Sequence, residues 1–230
     1  MVTANAKFIA RAYINDIKVD MTDHWVMLKH SSPGNCQIKV KSTPNKLDII
    51  AVELGWGDMI DRVFLGFVER AQPAEAGWSI IFCRELSASL AFNLSVMLRH
   101  PTLRQVISEI SQQTGLEFVI PEKVYADTAI PAFYCDSSGY AMLDNIGSTF
   151  KVPDFIWQQQ GNGKIYIGSY QDSFWFDKPI TIPTNIMTNQ QAGKSVNMPA
   201  APMIRPNVTA NNERITAVEF KGTNMTITWG

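Results

Sequence analysis

The clearest pattern in the chain is a stripe of apolar residues at helical spacing between residues 102 and 115. Apolar side chains recur there every three or four positions, on one face of a helix, at Leu103, Val106, Ile107 and Ile110. Thr102 is placed to cap the N-terminus, Gln105 occupies the capping-box position, and Gly115 suits a left-handed C-terminus. The pattern therefore predicts a short amphipathic helix that leads directly into a strand at 116–120.

Most of the remaining chain consists of short alternating or apolar runs that are typical of β-strands. Strands are predicted at 25–28, 36–40, 47–54, 62–70, 78–84, 155–158, 164–169, 213–220 and 225–229, and a pair of strands at 5–20 turns at Asn15-Asp16. Further turns are predicted at 31–35, 161–163 and 221–224, where glycine, proline and asparagine cluster. Strands this short and this regularly interrupted indicate a barrel or a sandwich.

Three segments do not fit a simple strand pattern. Residues 86–98 are compatible with a helix or with a loop that packs inward, and a second helix is predicted to start at Ser137 or Ser138, with Gly147 allowing close approach. Residues 178–206 carry five of the 12 prolines and show little periodicity. That segment is predicted to be an extended loop or arm.

Composition narrows the possible functions. The 230 residues carry a formal net charge of -1 with no basic stripe, which argues against sequence-specific nucleic-acid recognition. The longest apolar runs, such as 49–52, are far shorter than a membrane span, so no stable membrane insertion is expected. The N-terminus lacks the pattern of a signal peptide.

The reactive side chains are scattered, so no catalytic, metal or cofactor site is predicted. Three widely spaced cysteines suit buried reduced thiols: Cys36, Cys83 and Cys135. Three histidines lack metal-ligand spacing: His24, His30 and His100. Two carboxylate pairs would be the candidates for a hydrolase, but they fall at turns or strand ends where solvation is expected: Asp58 with Asp61, and Glu69 with Glu75.

Aromatic residues give better candidates for protein contacts. Trp56 lies between two glycines, and Phe174-Trp175-Phe176 stands just before the predicted arm. Aromatic side chains concentrate at interface hot spots, so we expect these sites to form subunit or neighbour contacts. Alanine at Trp175 is then expected to weaken assembly and leave the monomer folded. The candidate contacts in the arm are Met187, Met198 and Met203.

Six stretches occur in an order that resembles the phage tail hub family, which includes contractile-tail baseplate hubs, late-control D proteins and the hub part of the type VI secretion spike. They are LGWGD at 54–58, VFLGFVER at 63–70, CREL at 83–86, TLRQVISEISQQTGL at 102–116, AMLDNIG at 141–147 and FIWQQQGNGKIYIGSY at 155–170. Cys83 departs from the family, which usually has glycine at that corner.

The resemblance implies a mainly β fold with two accessory helices and two small β-barrels of the tail-hub type. Residues 1–95 would form the first barrel, and 96–177 would be a helix-strand-helix-hairpin region that contributes to the second. The arm at 178–206 would follow, and the hairpin at 207–230 would complete the second barrel.

The resemblance also implies a structural function without enzymatic activity. Similar hubs form homotrimeric rings that join the tail tube, or a distal tail protein, to a central spike or tail fibre. The expected location is the virion tail tip, with assembly in the host cytoplasm. A tail-associated cell-wall hydrolase and a carbohydrate-binding module for host recognition are the alternative interpretations.

Overall fold

Hydrophobic alternation and local capping determine most of the element boundaries in the computed structural model. It describes residues 6–75, 77–191 and 194–230. Residues 1–5 and 76, in the predicted first barrel, and residues 192–193, in the predicted arm, lie outside the description.

The strands are β1 Phe8–Ile14, β2 Ile17–Val19, β3 Met21–Lys29, β4 Ser32–Val40, β5 Ile49–Trp56, β6 Met59–Pro73, β7 Ser79–Glu85, β8 Asn93–Arg99, β9 Phe118–Val119, β10 Ala132–Ser138, β11 Phe155–Gln159, β12 Ile165–Ser169, β13 Thr188–Gln191, β14 Ser195–Pro199, β15 Thr209–Ala210, β16 Glu213–Lys221 and β17 Asn224–Trp229. The α-helices are α1 Leu103–Thr114, α2 Val124–Asp127 and α3 Gly139–Thr149. Short 3-10 helices occupy Leu86–Ala91, Tyr170–Asp172 and Thr184–Ile186.

One long antiparallel sheet contains both ends of the described chain. Its strand order is β13-β14-β17-β16-β3-β4-β7-β6-β5-β1-β2, and β15 pairs with β16 at the side. The hairpin β16–β17 joins the N-terminal strands through β3, where Val26 lies opposite Phe220. Buried side chains from both ends form one hydrophobic cluster. The mainly β fold class with accessory helices is therefore confirmed.

Residues 86–169 contribute a smaller α/β unit with its own hydrophobic cluster. Helices α1 and α3 both pack against the two-stranded sheet β8·β10. Strand β12 pairs with β11 in an antiparallel hairpin and with the short β9 in parallel. The two predicted helices are α1 and α3, and the one-turn helix α2 was not predicted.

Local chemistry explains why the helices begin and end where predicted. The Thr102 hydroxyl accepts a hydrogen bond from the Gln105 backbone at 3.3 Å, and the Gln105 side chain accepts one from the Thr102 backbone at 2.9 Å. Gly115 has a φ of 72° and ends α1. A Cβ atom at Gly147 would lie 2.6 Å from the Phe155 ring, so α3 needs glycine to pack against β11.

The predicted turn at 31–35 is wrong. The chain turns earlier, at His30-Ser31, where Ser31 has a φ of 45°, and Gly34 already lies inside β4. A Cβ atom at Gly34 would lie 2.7 Å from Leu28 and 3.0 Å from the Glu85 carboxyl carbon. Glycine is therefore present because other parts of the chain approach closely, and not because the chain turns.

Two other segments take forms that the pattern left open. Residues 86–98 form a 3-10 helix followed by β8. The segment 178–206 contains a 3-10 turn and the strands β13 and β14, and β14 pairs with β17. Ile182, Met198 and Ile204 within it are buried in the core of the long sheet. Its described part is therefore packed on its own chain.

Candidate assembly surfaces

An apolar groove of ≈ 700 Å³ lies where the β5–β6 hairpin meets the segment after β14. We call it the tryptophan groove; it is lined by Ala6, Trp56, Met59, Asp61, Ile186, Met198, Pro199, Ala200, Ala201, Pro202 and Met203. Met59 and Met203 are 48% and 68% exposed at its rim. Methionine side chains adapt their shape to what they contact, which suits a binding surface.

Hydrogen bonds hold the two walls of the groove in place. The Trp56 indole N–H donates to the Ala200 carbonyl at 2.7 Å, and Phe8 packs edge-on against the Trp56 ring with centroids 5.0 Å apart. The Ala200 N–H donates to the Thr223 carbonyl at 2.9 Å. The groove is thus formed by a fixed indole facing a tethered backbone segment.

A second apolar surface follows the 3-10 turn after β12. Phe174 is 67% exposed, Phe176 is also exposed, and we call this pair the aromatic knob. The Lys178 ammonium lies 3.3 Å from the centroid of the Phe174 ring, and Phe176 packs edge-on against Tyr170 at 5.4 Å. Trp175, between the two phenylalanines, points inward and packs against Tyr166 with centroids 5.7 Å apart.

The seven predicted contact residues therefore occupy different environments. Trp56 and Met203 meet in the tryptophan groove, and Phe174 and Phe176 form the aromatic knob. Met198 also lines the groove, but it is 5% exposed and belongs to the core of the long sheet. Met187 is half-buried against the core of the long sheet and lies in neither surface. Trp175 is 6% exposed and belongs to the core. Its substitution by alanine is now expected to destabilise the monomer, contrary to the expectation from sequence.

Sequence reasoning missed most of the groove, including Met59 and Ile186. Met59 lies directly opposite Trp56 across the two-residue turn of the β5–β6 hairpin. Recognising that turn at Gly57-Asp58 would have placed Met59 beside Trp56. Ile186 reaches the groove from a segment more than 120 positions away in the chain. No local pattern marks it.

The sequence also gave no sign of a buried polar junction between the long sheet and the α/β unit. Its main residues are Glu85, Gln159 and Arg205. Gln159 bridges the two parts, since its side chain accepts from Ser87 N at 2.9 Å and donates to the Leu65 carbonyl at 2.7 Å. Arg205 donates to the carbonyls of Val63 and Gln159, at 3.1 and 3.5 Å.

Glu85 is the charged group at the centre of this junction. One of its carboxylate oxygens accepts from Gly34 N at 2.7 Å, and the other lies 3.8 Å from the Arg205 guanidinium. The Glu85 side chain is fully buried, and burial raises its pKa to about 7 in spite of the opposing effects of Arg205 and the Gly34 N–H. The carboxyl group therefore titrates near neutral pH in the folded chain.

Glu85→Gln tests this titration. At pH values between the ordinary carboxyl pKa and about 7, the folded chain binds more protons at Glu85 than the unfolded chain does. The free energy of unfolding therefore falls as pH rises through that range. We expect the free energy of unfolding of the wild type to fall, relative to Glu85→Gln, by on the order of 2–3 kcal/mol from about pH 5 to about pH 8. Urea unfolding across this range measures it. Parallel pH profiles for the two proteins would contradict the prediction.

The predicted thiols and histidines lie apart from both surfaces. Cys36 and Cys83 are buried opposite each other on β4 and β7, and burial raises the pKa of both thiols, that of Cys83 to about 12. Burial lowers the pKa of His24 and His30. Cys135 is half-buried, and His100 lies in the loop after β8.

The acidic residues are dispersed as well. Glu75 pairs with Lys39, and Glu69 lies 3.9 Å from Arg84. Among the residues that the structure describes, no three His, Cys, Asp or Glu side chains come together as a metal site would require. In the same part of the chain, none of the helices has the length and apolar character needed to cross a membrane.

Comparison with known proteins places this fold among tail proteins. No family model matches the chain. It is 33% identical over 217 residues to an uncharacterized 58.7 kDa protein in the lys 3′ region of Haemophilus phage HP1. The match covers 94% of this chain but 40% of that relative, so the chain spans about two fifths of the relative's length.

Solved structures are similar over nearly the whole chain. A 43 kDa tail protein of prophage MuSo2 from Shewanella oneidensis matches with a TM-score of 0.68 and 8% identity, covering 97% of this chain and 98% of that one. A tail protein from Neisseria meningitidis MC58 matches with a TM-score of 0.66 and 8% identity, covering 96% of both chains.

A third similar structure comes from a secretion system. It is an Escherichia coli component of the type VI secretion system, described as structurally similar to the T4 bacteriophage tail proteins gp27 and gp5. It matches with a TM-score of 0.63 and 10% identity, covering 95% of this chain and 76% of that one. The chain therefore has the fold of these phage tail and secretion-system proteins, so the resemblance to the phage tail hub family that the sequence motifs indicate is confirmed at the level of the fold.

Proposed function

We propose that the chain is a structural protein of the phage tail tip, a baseplate hub that assembles into a ring of three copies. The observation that carries this proposal is the tail-protein fold, which extends over 97% of the chain in the similarity to the MuSo2 tail protein. The phage relative supports the same setting. The ring would join the tail tube, or a distal tail protein, to a central spike or tail fibre.

In this proposal the polypeptide serves assembly and not catalysis. Each copy contributes two related β-barrels, the first from residues 1–95 and the second completed by 207–230, so that three copies match a sixfold tube. The tryptophan groove and the aromatic knob are the surfaces that meet other subunits or tail proteins. Both surfaces expose apolar side chains to water, and a protein partner would cover them. This exposure supports a role in protein contacts. The location is the virion tail tip, after assembly in the host cytoplasm.

Mass measurement in solution tests the proposal. We expect native mass spectrometry and sedimentation to detect a species with three times the 25.7 kDa mass of one chain. The fraction of the protein in this species should rise with protein concentration. A chain that stays monomeric at the highest attainable concentration would refute the ring.

Parallel assays distinguish the two alternative functions. Release of soluble fragments from purified peptidoglycan would favour a cell-wall hydrolase, and saturable quenching of tryptophan fluorescence by host polysaccharide would favour a carbohydrate-binding module. We expect neither signal above that of a heat-unfolded control. A positive result in either assay with a monomeric chain would replace the hub proposal.

A further inference from the structure

We propose that the aromatic knob of one copy inserts into the tryptophan groove of the next copy. The ring is then closed by a contact between two different surfaces of the same chain. This inference rests on the proposed function, because it identifies the surfaces through which the ring forms.

The chemistry of the groove suits aromatic side chains. Methionine sulfur atoms make favourable contacts with aromatic rings, and three methionines line the groove beside Trp56: Met59, Met198 and Met203. The volume of ≈ 700 Å³ lies within the range of about 300–1,000 Å³ found for small-molecule and cofactor pockets, so the groove is large enough to enclose side chains of a partner. A pair of phenylalanine side chains is small enough to enter this volume and matches its apolar character.

The aromatic knob is preorganised for such a contact. Trp175 is buried against Tyr166 and holds the chain on both sides of it, so Phe174 and Phe176 project from a fixed base. Phe176 is further restrained by its edge-on contact with Tyr170. Side chains that are already restrained lose less conformational entropy when they bind, which favours them as contact points.

Charge complementarity selects this knob among the exposed aromatic residues. Among the residues that the structure describes, Asp61 is the one charged residue lining the groove, and Lys178 covers Phe174 on the knob. Within the described residues, neither side chain takes part in a salt bridge. Phe92 is more exposed than Phe174, at 74%, but no cation among the described residues lies over its ring. An Asp61–Lys178 pair between copies would orient the contact more than strengthen it.

The arrangement also explains how a ring could form. The groove and the knob share no residue, so a contact between them is head-to-tail and leaves one free groove and one free knob on every open oligomer. Closing the ring satisfies both. A contact of a surface with itself would stop at two copies.

A charge exchange tests the pairing, with sedimentation as the measure of self-association. We expect Asp61→Lys and Lys178→Asp each to weaken association by about tenfold, and the double variant to recover to within about threefold of the wild type. Phe174→Ser is expected to weaken it more strongly. Phe92→Ser is the matched control, an exposed aromatic outside both surfaces, and should associate like the wild type.

A mixing experiment tests the head-to-tail geometry. Met203→Asp alters only the groove and Phe174→Asp alters only the knob, so each variant alone should be monomeric. Their equimolar mixture should form a 1:1 dimer through the remaining intact groove and knob. Circular dichroism confirms that each variant is folded.

The possible failures are distinguishable. If the wild type assembles and the groove and knob variants assemble equally well, the pairing is wrong, and the proposed ring forms through other surfaces. If Phe92→Ser is the variant that dissociates, the contact lies on the α/β unit instead, and the pairing is again refuted. If the wild type itself is monomeric at every concentration, the proposed function fails and the pairing fails with it.

Discussion

Arg205→Met should lower the free energy of unfolding by about 3–5 kcal/mol at about pH 8, the cost of removing one partner of a buried ion pair. The substitution leaves the Glu85 carboxylate with the Gly34 N–H as its remaining close partner in the polar junction. It also removes the donor to the carbonyls of Val63 and Gln159, which join the long sheet to the α/β unit. Urea unfolding followed by tryptophan fluorescence measures the loss.

Two controls separate the charge effect from a packing effect. At about pH 5.5 Glu85 is neutral in the folded chain, so the same Arg205→Met substitution should cost less there. Adding Glu85→Gln to Arg205→Met should recover part of the loss at about pH 8, because the isolated charge is gone. A loss below about 1 kcal/mol at both pH values would mean that the ion pair contributes little to the junction.

Trp175→Ala should cost about 3–5 kcal/mol of stability, as expected for the removal of a buried indole from a packed core. The substitution opens a cavity beside Tyr166 and removes the base that holds the aromatic knob. Self-association should fall as well, because Phe174 and Phe176 lose their fixed positions. Chemical denaturation gives the first effect and sedimentation the second.

The neighbouring residue provides the matched comparison. Phe174→Ala removes an exposed ring, so the free energy of unfolding should change by no more than about 0.5 kcal/mol while self-association weakens. The two adjacent substitutions should therefore separate folding from assembly. Equal losses of stability at Trp175 and Phe174 would contradict the division between core and knob.

Elements that depend on local interactions were predictable from the sequence. The capping box of α1 involves residues three positions apart, and Ser138 caps α3 at one of the two predicted positions. The hairpins β1–β2, β11–β12 and β16–β17 lie about the predicted turns. In each case the determining contacts lie within a few residues, so the pattern alone contains the information.

Elements that depend on distant contacts were not predictable in the same way. Pro33-Gly34 has the composition of a turn, but Gly34 lies within a strand because its N–H reaches Glu85, 51 positions away. The segment 178–206 shows little periodicity because its packing is set by residues that follow it in the chain, such as Thr223 in the β16–β17 turn and Met225 in β17. Proline content alone could not place it.

The candidate surfaces were predictable only in part for the same reason. Trp56 and the phenylalanines of the knob stood out because bulky aromatics lie beside glycines or before a proline-rich segment. Burial separates Trp175 from its two neighbours, and one-residue alternation in an irregular segment does not reveal which side chain turns inward. The Glu85–Arg205 pair joins residues 120 positions apart and has no local signal.

Electron microscopy of the purified assembly tests most directly whether this chain builds a ring from copies of itself. Averaged end-on views should contain closed rings with threefold symmetry and six density lobes around a central opening. The Met203→Asp variant should yield no such views. Single isolated lobes, or open filaments, from the wild-type protein under the same conditions would contradict the account.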